Sequence, residues 1–224
     1  MATPTLHIHQ PRAADAQSLS DRAYYAIREL IVTLELPPGS VVSERDLMER
    51  LGLGRTPVRE ALRDLARERL IDVYPRRGIF VSGVDVGDIA GLSEVRLALE
   101  SQVARLAAER RNDADRAATE ELLEELDRTT SEHDERTLIE LDQRIHRHIY
   151  RCAHNLFLEA TLEEYYVLTL RIWFLALDRV ERLDDAIWEH RELLEAIRDR
   201  DAARAETVMR LHVTGFERAI RAVL

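Results

Sequence analysis

Residues 37–81 decide the fold of the amino-terminal part of the chain, and they read PPGSVVSERDLMERLGLGRTPVREALRDLARERLIDVYPRRGIFV. Ser43 is a favourable N-cap for a short helix over residues 44–51, because its hydroxyl can accept a hydrogen bond from a free backbone N–H. Gly52 predicts the end of that helix, since glycine is the usual residue just past a helix C-terminus. The tight link Gly52-Leu53-Gly54 predicts that another helix follows closely.

A longer helix is predicted directly after this link. Thr56 can act as its N-cap, with Pro57 at the first helical position, where a missing backbone N–H costs little. The next segments, IDVYP and GIFVS, are short, β-branched and aromatic, which predicts two strands. With a helix over about 21–34 upstream, this order predicts a winged helix-turn-helix within residues 19–84.

Arginine and threonine side chains stand at the start of the predicted longer helix. In a helix-turn-helix the second helix enters the major groove, so its first residues meet the base edges. Arginine can donate two hydrogen bonds to guanine, and a threonine hydroxyl suits a phosphate. A solvated arginine face is the alternative interpretation of each residue alone. The candidates are Arg55, Thr56 and Arg59, with Arg45 in the preceding helix and Arg76 and Arg77 between the strands.

Residues 37–81 closely resemble the N-terminal domain of the GntR family of bacterial transcription regulators. The resemblance rests on RTPVREAL, on the leucine-rich helix that follows it, and on RRG between the strands. Gly54 departs from the family pattern, in which many members carry serine. The resemblance implies that operator DNA is contacted by Arg45, Arg55, Thr56, Arg59 and Gly78.

The remainder of the chain predicts an all-α domain. Residues 85–224 contain no proline and only three glycines, so they can form long helices. The predicted fold class is mainly α, a winged helix-turn-helix followed by a bundle of six to seven helices. Asp113 and Asp184 stand where N-caps are expected. The predicted helices lie at about 86–110, 114–131, 134–152, 156–179, 185–199 and 202–223.

Composition and charge limit the classes of function. Residues 1–84 carry a net charge of +1 and residues 85–224 carry −11, which indicates different electrostatic roles. Cys152 is the single cysteine and cannot form an intramolecular disulfide. Residues 1–18 show no signal-like apolar run and are expected to form a flexible arm. No apolar run approaches the ~20 residues of a membrane span, so a cytoplasmic protein without membrane contact is expected.

Arg96 interrupts an apolar 3-4 repeat in the first long helix of this domain. A guanidinium that faces a core stays charged and needs a carboxylate or other acceptors. Two interpretations remain open from the residues alone. Arg96 either forms an internal salt bridge with one of the many acids of the bundle or anchors an anionic ligand.

Four residues of the predicted bundle, Asp142, His146, His190 and His212, are candidate metal ligands, and we call them the metal quartet. The first two are four residues apart, so their side chains share a helix face. The later histidines lie in two separate amphipathic helices, close to apolar positions. If the three faces meet, they offer one carboxylate and three imidazoles, a set that suits Zn, Ni, Mn or Fe. Taken singly, each histidine is more often a hydrogen-bonded core residue.

Residues 85–224 resemble the FadR-type effector domain, called FCD, over essentially their full length. EVRLALES opens the resemblance, and the D-x-x-x-H pair and the two later histidines follow in the family's order. The resemblance implies a divalent metal ion at the metal quartet and a small carboxylate effector nearby. It implies an effector-binding role for Arg96 and for Asn155, although an asparagine before a helix is also a common cap.

The sequence therefore predicts a regulator, not an enzyme: a homodimer that binds pseudo-palindromic operator DNA, represses transcription and responds to a small organic acid. Two other classes are the alternatives. His133-Asp134 offers the HD dipeptide of metal-dependent hydrolases, although such enzymes need further ligands in a set order. A purely structural DNA-bending protein conflicts with the acidic balance of residues 85–224.

Overall fold

The computed structural model describes residues 18–128, 135–176 and 183–223. The predicted arm and the His133-Asp134 dipeptide lie outside these residues, apart from Ser18 at the end of the arm. None of the described helices is both long enough and apolar enough to cross a membrane. In chain order the elements are α1 (Leu19–Val32), α2 (Glu44–Leu51), α3 (Arg55–Arg67), β1 (Ile71–Tyr74), β2 (Gly78–Val81), α4 (Val86–Arg110), α5 (Asp113–Arg128), α6 (Glu135–Cys152), α7 (Leu156–Ala176), α8 (Leu183–Arg198) and α9 (Ala202–Arg221).

The chain divides into two compact units. The first comprises Met1–Val84 together with Leu170–Leu175, and the second comprises Asp85–Thr169 together with Ala176–Leu224. The predicted fold class, a winged helix-turn-helix followed by a helical domain, is confirmed.

The first two helices begin and end at residues with identifiable caps. Ser18 and Asp21 form a reciprocal capping box at the start of α1. Ser43 caps α2 as predicted, because its hydroxyl accepts a hydrogen bond from the backbone N–H of Asp46. Gly52 ends α2 in the left-handed conformation with φ of 63°, which glycine adopts without steric cost.

The start of α3 differs from the prediction. Gly54 is the N-cap, so Thr56 lies inside the helix, and the predicted threonine cap is wrong. Pro57 is the third helical residue instead of the first. The shift costs little, because the backbone N–H groups of the whole first turn have no acceptor within the helix. The apolar face of α3 is buried through Val58, Ala61, Leu62 and Leu65.

The two strands form the wing. β1 and β2 pair antiparallel, with Ile71 opposite Val81 and Tyr74 opposite Gly78. Gly78 has a φ of 113°, a value that side-chain-bearing residues rarely adopt, so the turn requires glycine there. An additional bridge joins Val41 to Phe80, which ties the wing to the segment before α2.

The described residues of the second unit form a helical bundle of six helices, within the six to seven predicted. Within it α4 packs against α6, α8 and α9, and α8 also packs against α5, α6 and α9. The predicted bounds of α4 are those observed, with Asp85 as the N-cap in a capping box. The predicted caps Asp113 and Asp184 are wrong, because each residue lies within the first turn of its helix. At the start of α5, Asn112 and Asp115 instead form reciprocal hydrogen bonds between side chain and backbone.

A small polar cluster of Thr119, His148 and Cys152 lies inside this unit and shares no residue with the metal quartet. The His148 ring lies 2.7 Å from the Thr119 hydroxyl, and its Nε2 atom lies 3.4 Å from the Cys152 sulfur. Burial, with a contribution from Arg151, lowers the pKa of His148 to about 4. Burial also raises the pKa of the Cys152 thiol to about 12. Both side chains are therefore neutral near pH 7.

The buried thiol gives a direct test of this packing. We expect Cys152 of the native chain to react with iodoacetamide at pH 8 at least ~100-fold more slowly than the urea-unfolded chain, because the thiolate is the reactive form. Intact mass spectrometry over a time course measures both rates. Equal rates in the native and unfolded chains would contradict the burial of this residue.

Candidate metal centre and DNA-reading surface

The predicted DNA-contacting residues are exposed on the first unit. Arg55, Thr56 and Arg59 lie in the first two turns of α3, and Arg45 lies in α2. The Arg59 Nε atom lies 3.0 and 3.1 Å from the two carboxylate oxygens of Glu44. The Arg59 side chain is nevertheless 63% exposed, so the ion pair is a weak solvated one that a stronger acceptor can replace.

The wing presents a second exposed basic segment. Arg76, Arg77 and Gly78 are exposed where the chain turns from β1 into β2. The Arg77 guanidinium carbon lies 5.9 Å from the centre of the Tyr74 ring, a distance at which a cation is attracted to the aromatic face. These side chains have the chemistry needed for phosphate or minor-groove contacts.

The second unit brings the metal quartet together. Asp142 and His146 come from α6, His190 comes from α8 and His212 comes from α9, and all four are buried. One ligand atom of each residue lies within 4.8 Å of the others. The i,i+4 spacing along α6 places Asp142 and His146 on one helix face. The packing of α8 and α9 brings His190 and His212 to that face.

Distances within the quartet show which atoms face its centre. The Nε2 atoms of His146 and His190 lie 3.1 Å apart. The Asp142 Oδ1 atom lies 3.7 Å from His190 Nε2 and 3.9 Å from His146 Nε2. Three imidazoles and one carboxylate are a donor set suited to a divalent transition metal, so the residues present fit such an ion.

Neighbouring side chains hold the outward atoms of two quartet members, Asp142 and His212. The Tyr166 hydroxyl donates a hydrogen bond of 2.5 Å to Asp142 Oδ2, and burial raises the pKa of this tyrosine well above its ordinary value. The Glu189 Oε2 atom lies 3.0 Å from His212 Nδ1. A carboxylate at Nδ1 favours a proton there and leaves Nε2 free to bind a metal.

Arg96 is buried beside this centre and forms an ion pair within α4. Its Nε atom lies 2.5 Å from the Glu100 Oε1 atom, and both side chains are at most 2% exposed. Burial acts against the charged forms, but Glu100 raises the pKa of Arg96, and Arg96 and His146 lower the pKa of Glu100. The Phe216 ring centre lies 5.0 Å from the guanidinium carbon.

The ion pair leaves part of the Arg96 guanidinium unused. Its Nη1 atom is buried and has no hydrogen-bond partner within the described part of the chain. A buried charged donor without an acceptor is costly, which is the condition that an incoming anion relieves. The internal salt bridge and the free donor thus coexist in one side chain.

Asn155 lies at the start of α7 and acts as a helix cap. Its side-chain oxygen accepts hydrogen bonds from the backbone N–H groups of Phe157 and Leu158, at 3.1 and 3.3 Å. The contacts of Asn155 that the structure shows are these local ones and the backbone contact of its own carbonyl with Glu159. The capping interpretation therefore accounts for this residue without an effector.

Sequence reasoning missed the residues around the quartet. Glu100 lies within EVRLALES, four residues after Arg96. This spacing indicates an ion pair on one helix face and could have identified it. Tyr166 and Glu189 carried no such signal, because their partners lie on other helices.

Family models match both units of the chain. The model for bacterial regulatory proteins of the gntR family matches residues 19–81, and the FCD domain model matches residues 91–215. The chain therefore belongs to the GntR family of transcription regulators and carries an FCD domain. This family membership, shared by its relatives, places it among regulators and not among enzymes such as metal-dependent hydrolases.

Individual relatives agree with this assignment. The chain is 34% identical over 196 residues to an uncharacterized HTH-type transcriptional regulator in an unstable DNA locus of Streptomyces ambofaciens, covering 85% of this chain and 80% of that protein. It is 26% identical over 207 residues to the HTH-type transcriptional repressor RspR of Escherichia coli strain K12, covering 92% and 91%. It is 27% identical over 229 residues to the galactonate operon transcriptional repressor of the same strain, covering 91% and 97%.

Solved structures share the fold. The structure of E. coli McbR/YncC aligns with a TM-score of 0.81 at 22% identity and covers 92% of this chain and 99% of that one. A putative transcriptional regulator GntR from Rhodococcus sp. RHA1 aligns with a TM-score of 0.74 at 19% identity and covers 93% and 100%. At these identities the likeness concerns the fold alone.

Proposed function

We propose that this GntR-family regulator is a homodimeric repressor that senses a small carboxylate through a metal-containing FCD domain. The observation that carries the proposal is the convergence of the metal quartet in the same buried interior as the Arg96 guanidinium, which has a donor to spare. A metal ion and an arginine together supply two anchoring points for a small organic acid. The repressor role follows the names of two relatives.

We assign the exposed arginine-rich surface of the first unit to operator DNA. Arg55, Thr56 and Arg59 at the start of α3 would meet base edges and phosphates, with support from Arg45 in α2. The wing residues Arg77 and Gly78 would approach the minor groove or backbone. In a homodimer two such surfaces read a pseudo-palindromic site, because the two-fold axis of the protein is matched in the DNA.

The metal quartet would hold one divalent ion, with Zn, Ni, Mn and Fe all compatible with its imidazole and carboxylate donors. When bound, the ion supplies a positive centre that can coordinate a carboxylate. Tyr166 and Glu189 orient Asp142 and His212 toward that centre. The buried guanidinium of Arg96 provides the second anchor. Asn155 is a weaker effector candidate, because its side chain caps α7.

Regulation requires that the effector distinguish two states of the dimer. A ligand shifts an equilibrium only by the difference between its affinities for the two states. The carboxylate must therefore bind the FCD domain more tightly in one arrangement of the paired DNA-binding units than in the other. By reciprocity, operator DNA changes the affinity of the effector by the same factor. We place these events in the cytoplasm, where the DNA is.

The base contact of Arg59 is testable once an operator has been selected from a random DNA library with the purified protein. Arg59→Ala should weaken operator binding by about 1–3 kcal/mol and random-DNA binding by less, because a bidentate contact reads one base pair. Gel-shift titrations measure both affinities. Arg67→Ala is the matched control, since Arg67 is an exposed arginine near the other end of α3 that pairs with Asp64. Equal losses on operator and random DNA would reject the base contact.

The metal assignment predicts one ion per chain. His190→Ala should lower the metal content well below that of the wild type, because it removes a buried imidazole from the quartet. Elemental analysis of dialysed protein measures the content directly. His154→Ala is the control variant, because His154 is half-exposed and pairs with Asp115 at 2.7 Å, outside the quartet. Unchanged metal in His190→Ala would disprove its role as a ligand.

The effector anchor is tested by calorimetric screening of dicarboxylates, tricarboxylates and sugar acids against metal-loaded protein. Arg96→Ala should abolish binding of any acid that the wild type binds, measured at a metal concentration that keeps the metal quartet occupied. Because this change leaves Glu100 buried without its cation, Arg96→Lys is measured in parallel. Lysine keeps the charge but lacks the planar pair of donors, so weakened binding is expected there too. Wild-type affinity in both variants would dismiss the anchor.

A further inference from the structure

Glu100 lies between the two groups to which the proposed function assigns ligand binding. Its Oε1 atom is 2.5 Å from Arg96 Nε, whereas its Oε2 atom forms no hydrogen bond with the described residues and lies 3.4 Å from His146 Nδ1. The side chain is 1% exposed, so water does not compete for either oxygen. One buried carboxylate therefore faces the arginine on one side and a member of the metal quartet on the other.

The two nitrogens of His146 have different surroundings. The Nε2 atom faces His190 and Asp142 at the centre of the quartet, at 3.1 and 3.9 Å. The Nδ1 atom faces Glu100 and the Tyr150 hydroxyl, which lies 3.3 Å away. A neutral imidazole carries one proton on one nitrogen, so ligation through Nε2 requires the proton to sit on Nδ1.

The two neighbours of Nδ1 act on this choice in different ways. An ionised carboxylate only accepts hydrogen bonds, so Glu100 favours the tautomer with a proton on Nδ1. The Tyr150 hydroxyl can donate, and a hydrogen bond donated to Nδ1 favours the other tautomer, which presents N–H to the centre of the quartet. The Nε–H of Arg96 donates a hydrogen bond of 2.5 Å to Oε1, so the Glu100 carboxylate acts as an acceptor in this contact.

We propose that Glu100 is a positioning residue that holds His146 in its metal-binding tautomer and is itself held by Arg96. The inference rests on the proposed function, because it assumes that the metal quartet binds an ion. Its consequence is that the arginine anchor and the metal centre share one carboxylate. A change at Arg96, including the arrival of an anion, is then felt at His146 without any movement of a helix.

The first experiment is Zn²⁺ binding to the full-length chain, measured in competition with a chromogenic chelator. Glu100→Gln should raise the Kd for Zn²⁺ by about 10–100-fold, the usual effect of losing the partner of a metal-bound histidine. Glu109→Gln is the matched control on the same helix, since Glu109 forms an exposed i,i+4 pair with Arg105 and should leave the Kd unchanged. Tyr150→Phe should bind Zn²⁺ at least as tightly as the wild type, because it removes the competing donor.

The second experiment reads the tautomer without any metal. Long-range ¹H–¹⁵N spectra of the metal-free protein, labelled with ¹⁵N-histidine and assigned by comparison with His146→Gln, should show the His146 proton on Nδ1 in the wild type. The proton should move toward Nε2 in Glu100→Gln. The wild-type spectrum decides the matter even if Glu100→Gln does not fold, since a proton on Nε2 there overturns the proposal.

The outcomes separate this inference from the function on which it rests. A wild type that takes up no Zn²⁺ contradicts the metal-sensing function itself. A wild type that binds Zn²⁺ while Glu100→Gln binds it equally well, with an unchanged His146 tautomer, contradicts the role of Glu100 alone.

Discussion

The ion pair between Arg96 and Glu100 is the interaction on which the interior of the FCD domain depends. Two full charges lie at most 2% exposed inside a helical bundle, where removing them from water costs several kcal/mol per ion before any contact is made. Apolar residues would fill the same space at no such cost. A bundle that keeps this ion pair together with the metal quartet has a polar interior at its centre. Its remaining apolar core, including Val103, Leu193 and Ile197, has to supply the stability.

Much of the fold is readable from the chain because local rules decide it. The absence of proline after residue 85 permits long helices, and α4 begins at residue 86 as predicted. Ser43 caps α2, which was also predicted. The start of α3 was misplaced because Thr56 has the chemistry of a cap, whereas the backbone turns into the helix at Gly54. Asp113 and Asp184 were misplaced in the same way: acidic residues suit both the cap and the first helical turn, so residue type does not distinguish these positions.

The candidate site was only half readable, for a geometric reason. The i,i+4 spacing of Asp142 and His146 fixes their common face, whereas the approach of His190 and His212 depends on how three helices pack. The family resemblance supplied that information, and periodicity did not. The partners Tyr166 and Glu189 lie on different helices from the residues they hold, so no spacing rule connects them. The order of residues along the chain shows which side chains can act as metal ligands. The packing of the helices decides which partners those side chains contact.

The carboxylate of Glu44 beside Arg59 has a consequence for how the regulator searches a genome. If Arg59 reads DNA as proposed, Glu44 competes with the DNA for the same guanidinium, and its carboxylate repels any phosphate that approaches. Attraction to arbitrary sequence is mostly electrostatic, so this competition would lower the affinity for the vast excess of competing sites. Guanine presents a paired acceptor edge that can replace the carboxylate. A weak surface ion pair would then contribute to selectivity by lowering affinity where the sequence is wrong.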